Sequence, residues 1–107
     1  MASIGAMGDL LKQAQEMQSR MAKIQEELAN KTVQGSAGGG MVQVTVNGQF
    51  NLTAVQIEPS VVNPSEKEML EDLVLAAVND GMRKARELAS SEMSKLTGGL
   101  KIPGLMP

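Results

Sequence analysis

Residues 32–57 read TVQGSAGGGMVQVTVNGQFNLTAVQI and contain no charged side chain, although charges are frequent on both sides of them. Apolar and polar residues alternate over 41–46, and a second alternating run follows the Asn47-Gly48 dipeptide. Asn-Gly between two such runs is typical of a two-residue type I′ turn, which needs positive φ at both of its central residues. The stretch therefore predicts a β-hairpin, and residues 32–34 are predicted to add a short first strand.

A glycine-rich segment, GSAGGG at 35–40, precedes the hairpin. A phosphate-binding P-loop would need Lys followed by Ser or Thr after its last glycine, and then a helix. Met41 and a strand follow instead. We interpret the segment as a connection between the first and second strands.

The predicted turn also fixes the register of the hairpin. It pairs Val46 with Gln49 and places Phe50 and Leu52 on the face opposite to the valines. Partial slippage of the register or a bulge near Asn51 is the alternative, because either would realign the third strand. With apolar side chains on both faces, the sheet would have to be covered on both. We predict a homodimer, because a chain of 107 residues is too short to cover both faces alone.

Two long helices are predicted to flank the sheet. The second runs from Asn63-Pro64, a pair typical of a helix start, to Thr97, ahead of Gly98-Gly99. Its segment 69–78 is apolar on more than one side and is predicted to be buried. The first helix runs over 7–30 with apolar residues at heptad spacing along one stripe: Leu10, Ala14, Met17, Met21, Ile24 and Leu28.

The composition excludes several classes of function. Cys and His are absent, which removes disulfides, zinc–thiolate sites, the commonest metal ligand and the usual near-neutral general base. Phe50 is the one aromatic residue, so stacking of exposed bases is not expected. With no signal peptide or membrane-length apolar run visible, we predict a cytoplasmic, non-enzymatic protein without membrane partner, metal, cofactor or small-molecule substrate. Residues 1–107 are predicted to form one domain with flexible tails at 1–6 and 98–107.

Three blocks of this sequence resemble the YbaB/EbfC family of bacterial nucleoid-associated proteins. They are LKQAQEMQ at 11–18, the glycine and valine pattern that ends in Asn-Gly at 35–48, and EMLEDLV at 68–74, which AAVND follows closely. The resemblance implies an α-β-β-β-α protomer of the α+β class and a homodimer whose long helices project like tweezers. It also implies binding to double-stranded DNA in the nucleoid, with modest or no sequence preference.

The distribution of charge indicates where DNA would bind. The net charge is −2, but residues 58–72 hold five acids and one base, whereas 83–101 hold five bases and two acids. Contacts to phosphate need Lys or Arg. Our candidate DNA-binding residues are therefore six cations on the two helices: Lys12, Arg20, Lys23, Arg83, Lys84 and Arg86. Solubilising charge on a solvated helix face is the alternative interpretation of each.

The candidate dimer interface combines apolar residues of the sheet with the apolar start of the second helix. Its members are Val44, Val46, Phe50, Leu52, Met69, Leu70, Leu73, Val74 and Ala77. A second hypothesis for function is a non-catalytic adaptor dimer. It would dock helices of partner proteins on Met-rich seams, since methionine adapts to varied surfaces and this chain has nine.

Overall fold

The computed structural model describes residues 2–96, which form two long helices and a three-stranded sheet. The elements are α1 (Ala2–Asn30), β1 (Thr32–Ala37), β2 (Val42–Asn47), β3 (Leu52–Ile57) and α2 (Lys67–Leu96), with single 3-10 turns at Pro59–Val61 and Pro64–Glu66. The sheet is antiparallel with the order β1-β2-β3. The predicted α-β-β-β-α order and α+β class are confirmed. The predicted tail at 98–107 lies outside the described residues.

Helix α1 forms an arm that projects from the rest of the protein. It begins at Ala2, five residues before the predicted start, so most of the segment predicted as a flexible tail is helical. Every side chain over 5–23 is exposed, and burial begins at Ile24. The arm makes the protein 78 Å long, and the radius of gyration is 20.7 Å. A compact chain of this size would have a radius of about 13 Å.

The start of α2 follows the predicted capping. The Asn63 side chain accepts hydrogen bonds from the Ser65 backbone N–H at 3.1 Å and from the Ser65 hydroxyl at 2.9 Å. Pro64 then begins a 3-10 turn, and the α-helix proper starts at Lys67. The cap satisfies a backbone donor that a helix start would otherwise leave without a partner.

The register of the hairpin differs from the prediction. Val46 pairs with Leu52 and Thr45 with Ala54, so Thr53 is the extra residue of a bulge. Leu52 therefore lies on the valine face rather than opposite to it, and the prediction of two apolar faces is wrong. The bulge that we considered as the alternative is present, two residues beyond Asn51. Uncharged polar residues occupy most of the other face: Gln34, Ser36, Gln43, Thr45 and Gln56.

The turn between β2 and β3 is not a two-residue type I′ turn. The Asn47 side chain accepts hydrogen bonds from the backbone N–H groups of Gln49 at 2.9 Å and Asn51 at 3.1 Å, so the loop is built around this side chain. Positive φ occurs at Phe50, at 67°, and not at Gly48. Gly48 is needed for another reason: a Cβ there would lie 2.6 Å from Leu28 Cδ2. The glycine lets the hairpin approach the end of α1.

The core lies between α2 and one face of the sheet, over β1 and β2. Strand β1 is longer than predicted because it continues through Gly35, which we had placed in the connection. A Cβ on Gly35 would lie 2.3 Å from the Ala77 carbonyl oxygen and 2.3 Å from the Gly81 nitrogen. Two glycines thus bring α2 against the sheet. The buried cluster beside this contact consists of Val42, Val44, Val46, Ala77 and Ala85.

Candidate nucleic-acid interface

Three of the six candidate cations lie on α1, on the exposed part of the arm. At roughly 100° per residue, Lys12 and Lys23 lie on the face opposite to the apolar stripe that starts at Leu10, and Arg20 lies beside them. No carboxylate oxygen of residues 2–96 is within ion-pair distance of any of the three. Their charges are therefore available to an external anion.

Two of the three candidates on α2 are held by carboxylates instead. Arg83 contacts Asp80 at 2.7 Å and Glu87 at 3.1 Å. The ammonium of Lys84 lies 3.3 Å from Asp80 and donates to the Gln34 carbonyl oxygen at 3.1 Å. These pairs tie both cations to the protein itself. Asp80 raises the pKa of the Arg83 guanidinium, chiefly by hydrogen bonding, so this group stays charged.

Arg86, the third candidate on α2, differs from its neighbours. It is exposed, and the described residues place no carboxylate within ion-pair distance of it. Of the six candidates, four thus have no carboxylate partner in the described part of the chain: Lys12, Arg20, Lys23 and Arg86.

Asp80 connects α2 to the outer edge of β1. Its carboxylate accepts a hydrogen bond from the Ser36 backbone N–H at 3.0 Å, and this bond, with those from Arg83 and Lys84, lowers the pKa of Asp80 to about 2. A β-strand edge offers unpaired backbone groups, and here an acid on α2 takes one of them. This bond ties α2 to the outer edge of β1.

A second cluster of charges connects the two helices, and our sequence analysis missed it. Glu92 is buried, yet its carboxylate bonds to the ammonium of Lys31, just after α1, and to Lys95 at 3.2 Å. The hydrogen bond from Lys31 lowers the pKa of Glu92, and Lys95 acts in the same direction. A signal was present: Glu92 lies seven residues after Ala85, on the apolar side of α2. The cluster fixes the arm relative to α2.

The end of α2 lies beside α1 in an antiparallel sense. Arg20, Lys23 and Ile24 line a groove together with Lys95 and Leu96. Two unpaired cations of the arm therefore share one surface with a cation of α2. An acid, Glu27, also lines this groove, so the surface is mixed in charge.

The nine candidate interface residues divide into two groups. Val44, Val46 and Ala77 are fully buried inside the protomer, so the structure places them in its own core and not on a surface that a second copy can reach. The others are exposed or half-buried: Phe50, Leu52, Met69, Leu70, Leu73 and Val74.

A larger apolar surface lies where α2 does not cover the sheet. Asp80 and Lys84 of α2 reach the β1 edge, so the opposite flank of α2, which carries Leu75 and Val78, faces β3. Leu75 is 62% exposed. Three exposed apolar side chains of β3 lie on the same side of the sheet as the valines of β2: Leu52, Val55 and Ile57. We call this surface the β3–α2 patch: Leu52, Val55, Ile57, Leu70, Val74, Leu75 and Val78.

Comparison with known proteins agrees with these observations. The sequence model of the YbaB/EbfC DNA-binding family matches residues 4–100 of this chain. This chain belongs to the YbaB/EbfC DNA-binding family. The resemblance that the three sequence blocks indicated is therefore confirmed.

Close relatives cover nearly the whole YbaB/EbfC chain. A nucleoid-associated protein of Desulfotalea psychrophila is 56% identical over 96 residues, which is 90% of this chain and 91% of the relative. Another, from Pelotomaculum thermopropionicum, is 48% identical over 101 residues, with 94% and 96% covered. The crystal structure of an uncharacterized protein from Helicobacter pylori has the same fold, with a TM-score of 0.71 and 27% identity over 86% of this chain and 94% of that one.

The described residues of this YbaB/EbfC chain give no indication of a metal centre or a membrane span. Within residues 2–96 no three carboxylates are grouped so that they could hold a metal ion. Neither α1 nor α2 is apolar enough over a sufficient length to cross a bilayer.

Proposed function

We propose that this protein binds the phosphate backbone of double-stranded DNA in the nucleoid, as a homodimer and with little preference for base sequence. The observation that carries the proposal is the set of cations without a carboxylate partner in the described chain: Lys12, Arg20, Lys23 and Arg86. Such a cation can neutralise a phosphate and release its counterion without first giving up an ion pair.

Arg83 and Lys84 have a smaller share in this proposal than the sequence suggested. Each would have to exchange its contact with Asp80 for a contact with phosphate. Membership of a DNA-binding family and the names of the nucleoid-associated relatives support DNA as the ligand. Contacts to phosphate carry no base information, which is why we expect little sequence preference.

The β3–α2 patch supports the homodimer. Soluble monomers rarely expose a contiguous apolar surface of this kind, and such surfaces mark interaction sites. Leu75 and Val55 on the patch are 62% and 45% exposed, and no part of the described protomer covers them. A second copy is the occupant that we propose, because two-fold symmetry lets one surface cover itself on both protomers. Dimerisation would also bring two sets of arm cations to one duplex.

The DNA proposal is tested by the salt dependence of binding, measured for variants with matched removal of charge. The slope of log affinity against log salt is negative. Arg20→Gln combined with Lys23→Gln should make it shallower by about 0.9 for each phosphate that is no longer neutralised, or about 1.8 in total. Arg83→Gln is the control, because Arg83 is already paired with Asp80 and Glu87. We expect it to change the slope by less than the value of about 0.9 for one phosphate. A double variant with the parental slope would show that Arg20 and Lys23 do not contact phosphate.

The dimer is tested by sedimentation equilibrium. Leu75→Glu places a charge on the patch and should abolish the dimer, because an unpaired charge is costly to bury. Leu11→Glu is the matched control: Leu11 is 64% exposed, close to the 62% of Leu75, but lies on the arm. It should leave the dimer intact. A parent protein that sediments as a folded monomer at micromolar concentration would refute the dimer.

A further inference from the structure

The arm carries an apolar stripe that residues 2–96 leave partly uncovered. Its inner end is buried, at Ile24 and Leu28, but the same heptad spacing continues outward along the exposed part of α1. There Leu10 is 64% exposed and Met21 is 40% exposed. We call this part the outer seam: Leu10, Ala14, Met17 and Met21. Helices in proteins gain most of their stability by packing an amphipathic face, so an arm with an open seam indicates a partner.

The residues that flank the outer seam limit which helices can pair with it. They occupy the e and g positions of the heptads, where charges normally select the partner of a coiled coil. Of these flanking residues Leu11, Gln13 and Gln18 are uncharged, and Arg20 is the one cation. A partner helix therefore needs an apolar stripe of matching shape, neutral flanks and no cation opposite Arg20. A second copy of the same arm meets these conditions in one antiparallel register.

Two outer seams are complementary to each other when they run antiparallel. In the register that sets Ala14 opposite the partner's Met17, Leu10 lies opposite the partner's Met21, and the two-fold axis repeats both layers. Each small Ala14 then receives a large methionine, so the seam fills without a void. A parallel pair would instead set one Ala14 against the other and leave a gap between two small side chains.

The same register separates like charges. It sets Arg20 beside the partner's Gln13, whose amide oxygen can accept a hydrogen bond from the guanidinium. A shift of one heptad toward the base of the arm would set Arg20 beside the partner's Arg20. Its apolar layers would also need Ile24, which is buried in its own protomer. The opposite shift would leave Met21 outside the overlap of the two seams, so one register uses the whole seam.

We propose that the outer seams of two copies pair as a short antiparallel coiled coil. The overlap from Leu10 to Met21 is about 17 Å long at 1.5 Å per residue. This is shorter than the roughly three to four heptads of a sustained coiled coil. The pair therefore forms where the protein is concentrated, and not at the micromolar concentrations at which the dimer of the β3–α2 patch is measured.

Arm pairing has a consequence for assembly. A dimer held by the β3–α2 patch has two arms, so pairing of arms joins dimers into chains. Dimers that lie side by side on one duplex have a high effective concentration, which favours this contact. Lys12 and Lys23, on the opposite face of the arm, stay exposed to phosphate. The joining of dimers on DNA rests on the proposed function, whereas the pairing of two arms does not.

The test is a disulfide cross-link between two variants, for which the sequence offers a background without Cys. Ala14→Cys is mixed with Met17→Cys at millimolar concentration and oxidised mildly, so that a link between these two positions must join two chains. Ser19→Cys mixed with Ala22→Cys is the matched control, since these exposed residues have the same spacing but lie roughly 130–170° from the seam. Both mixtures are also measured in the Leu75→Glu background, which separates arm pairing from the β3–α2 patch.

The expected result is a link between positions 14 and 17 that forms roughly tenfold faster than the control link, because a disulfide needs Cβ atoms about 4 Å apart. The rate should rise with protein concentration and be the same in the Leu75→Glu background. Equal rates for the two mixtures, or loss of the link in the Leu75→Glu background, would overturn the proposal. A predominance of 14–14 and 17–17 links would also overturn it, because these links indicate parallel arms.

Sedimentation of the parent gives a second measurement that introduces no Cys. Species larger than those present at micromolar concentration should appear at millimolar concentration, and Met17→Gln combined with Met21→Gln should remove them. Met41→Gln is the control, because Met41 is 40% exposed, like Met21, but lies outside the arm. The absence of larger species in the parent would contradict the pairing of arms.

Discussion

Replacing Gly35 with Ala tests how the sheet and α2 are held together. A Cβ at this position would lie 2.3 Å from the Ala77 carbonyl oxygen, 2.3 Å from the Gly81 nitrogen and 2.6 Å from the Gly81 Cα. All three atoms belong to the backbone of α2, so no side-chain rotation can make room. The helix or the strand has to move.

The size of the movement gives the size of the effect. Ordinary contact begins near 3.4 Å, so the backbones must separate by about 1.1 Å at this point. A gap of that size forfeits a quarter to a half of the dispersion energy across the affected contacts. Forced overpacking of a core costs about 1–3 kcal/mol. Because the obstruction is backbone, we expect the upper end, about 3 kcal/mol, which lowers the Tm by roughly 12 °C or more in a domain of this size.

Thermal unfolding at one fixed protein concentration measures this effect, since oligomerisation makes Tm concentration-dependent. Gly8→Ala is the matched control. Gly8 lies in the exposed arm, and a Cβ there meets nothing within 4 Å. Ala stabilises a helix by up to about 1 kcal/mol relative to Gly, so we expect the Tm of this variant to be unchanged or slightly raised. If Gly35→Ala lowers the Tm by less than about 4 °C, the close approach of α2 to β1 is wrong.

Three further predictions concern the turn, Asp80 and the Glu92 cluster. Gly48→Asn should lower the free energy of unfolding by about 1–3 kcal/mol, because the added side chain meets the end of α1. A type I′ turn would tolerate Asn at this position, so an unchanged melting temperature would restore that assignment. The pKa of Asp80 is lowered from 3.8 to about 2, so its contribution to stability is complete above about pH 5 and is lost progressively as the pH falls through 3.8 and then through about 2. Denaturant unfolding of the parent should show this loss, and Asp80→Asn should flatten it. A variant without Lys31 and Lys95 leaves the carboxylate of Glu92 buried and unpaired, whereas Glu92→Met removes the buried charge itself. The first variant should therefore have the lower Tm. A lower Tm for Glu92→Met would contradict the assignment of this cluster.

The sequence predicted the elements well because their signals are local. Heptad spacing from Leu10 to Leu28, the Asn63-Pro64 start and the alternation of valines each involve a few neighbouring residues. The order of elements and the fold class followed from these signals. The four cations without partners in the described residues were also among the six candidates, because any exposed Lys or Arg on a helix can be identified from its spacing.

The errors arose where distant parts of the chain meet. Gly48 has a local meaning in an Asn-Gly turn, but here the end of α1 requires the glycine, and the Asn47 side chain shapes a longer loop. Gly35 resembles part of a flexible connection until α2 is placed against it. The same holds for charge: Lys31 and Glu92 are 61 residues apart, so no rule for neighbouring pairs on a helix could join them.

The dimer candidates show the same limit. Val44 and Val46 were assigned to an interface because the sheet was predicted to be apolar on both faces. The bulge at Thr53 places Leu52 on the valine face, and α2 covers those valines within the protomer. Since α2 lies over β1 and β2, the exposed apolar surface moves to β3. A shift of one residue in the register of β3 thus decides which side chains are exposed to a second copy.

The most direct test of the central claim is the salt dependence of duplex binding by the unmodified protein, measured with two duplexes of equal length and unrelated sequence. Backbone binding predicts two coincident lines of log affinity against log salt, with a negative slope of about 0.9 for each phosphate neutralised. Because phosphate contacts carry no base information, the two sequences should bind alike at every salt concentration. No binding even at low salt, a flat line, or a large difference between the two duplexes would contradict backbone recognition by the unpaired cations.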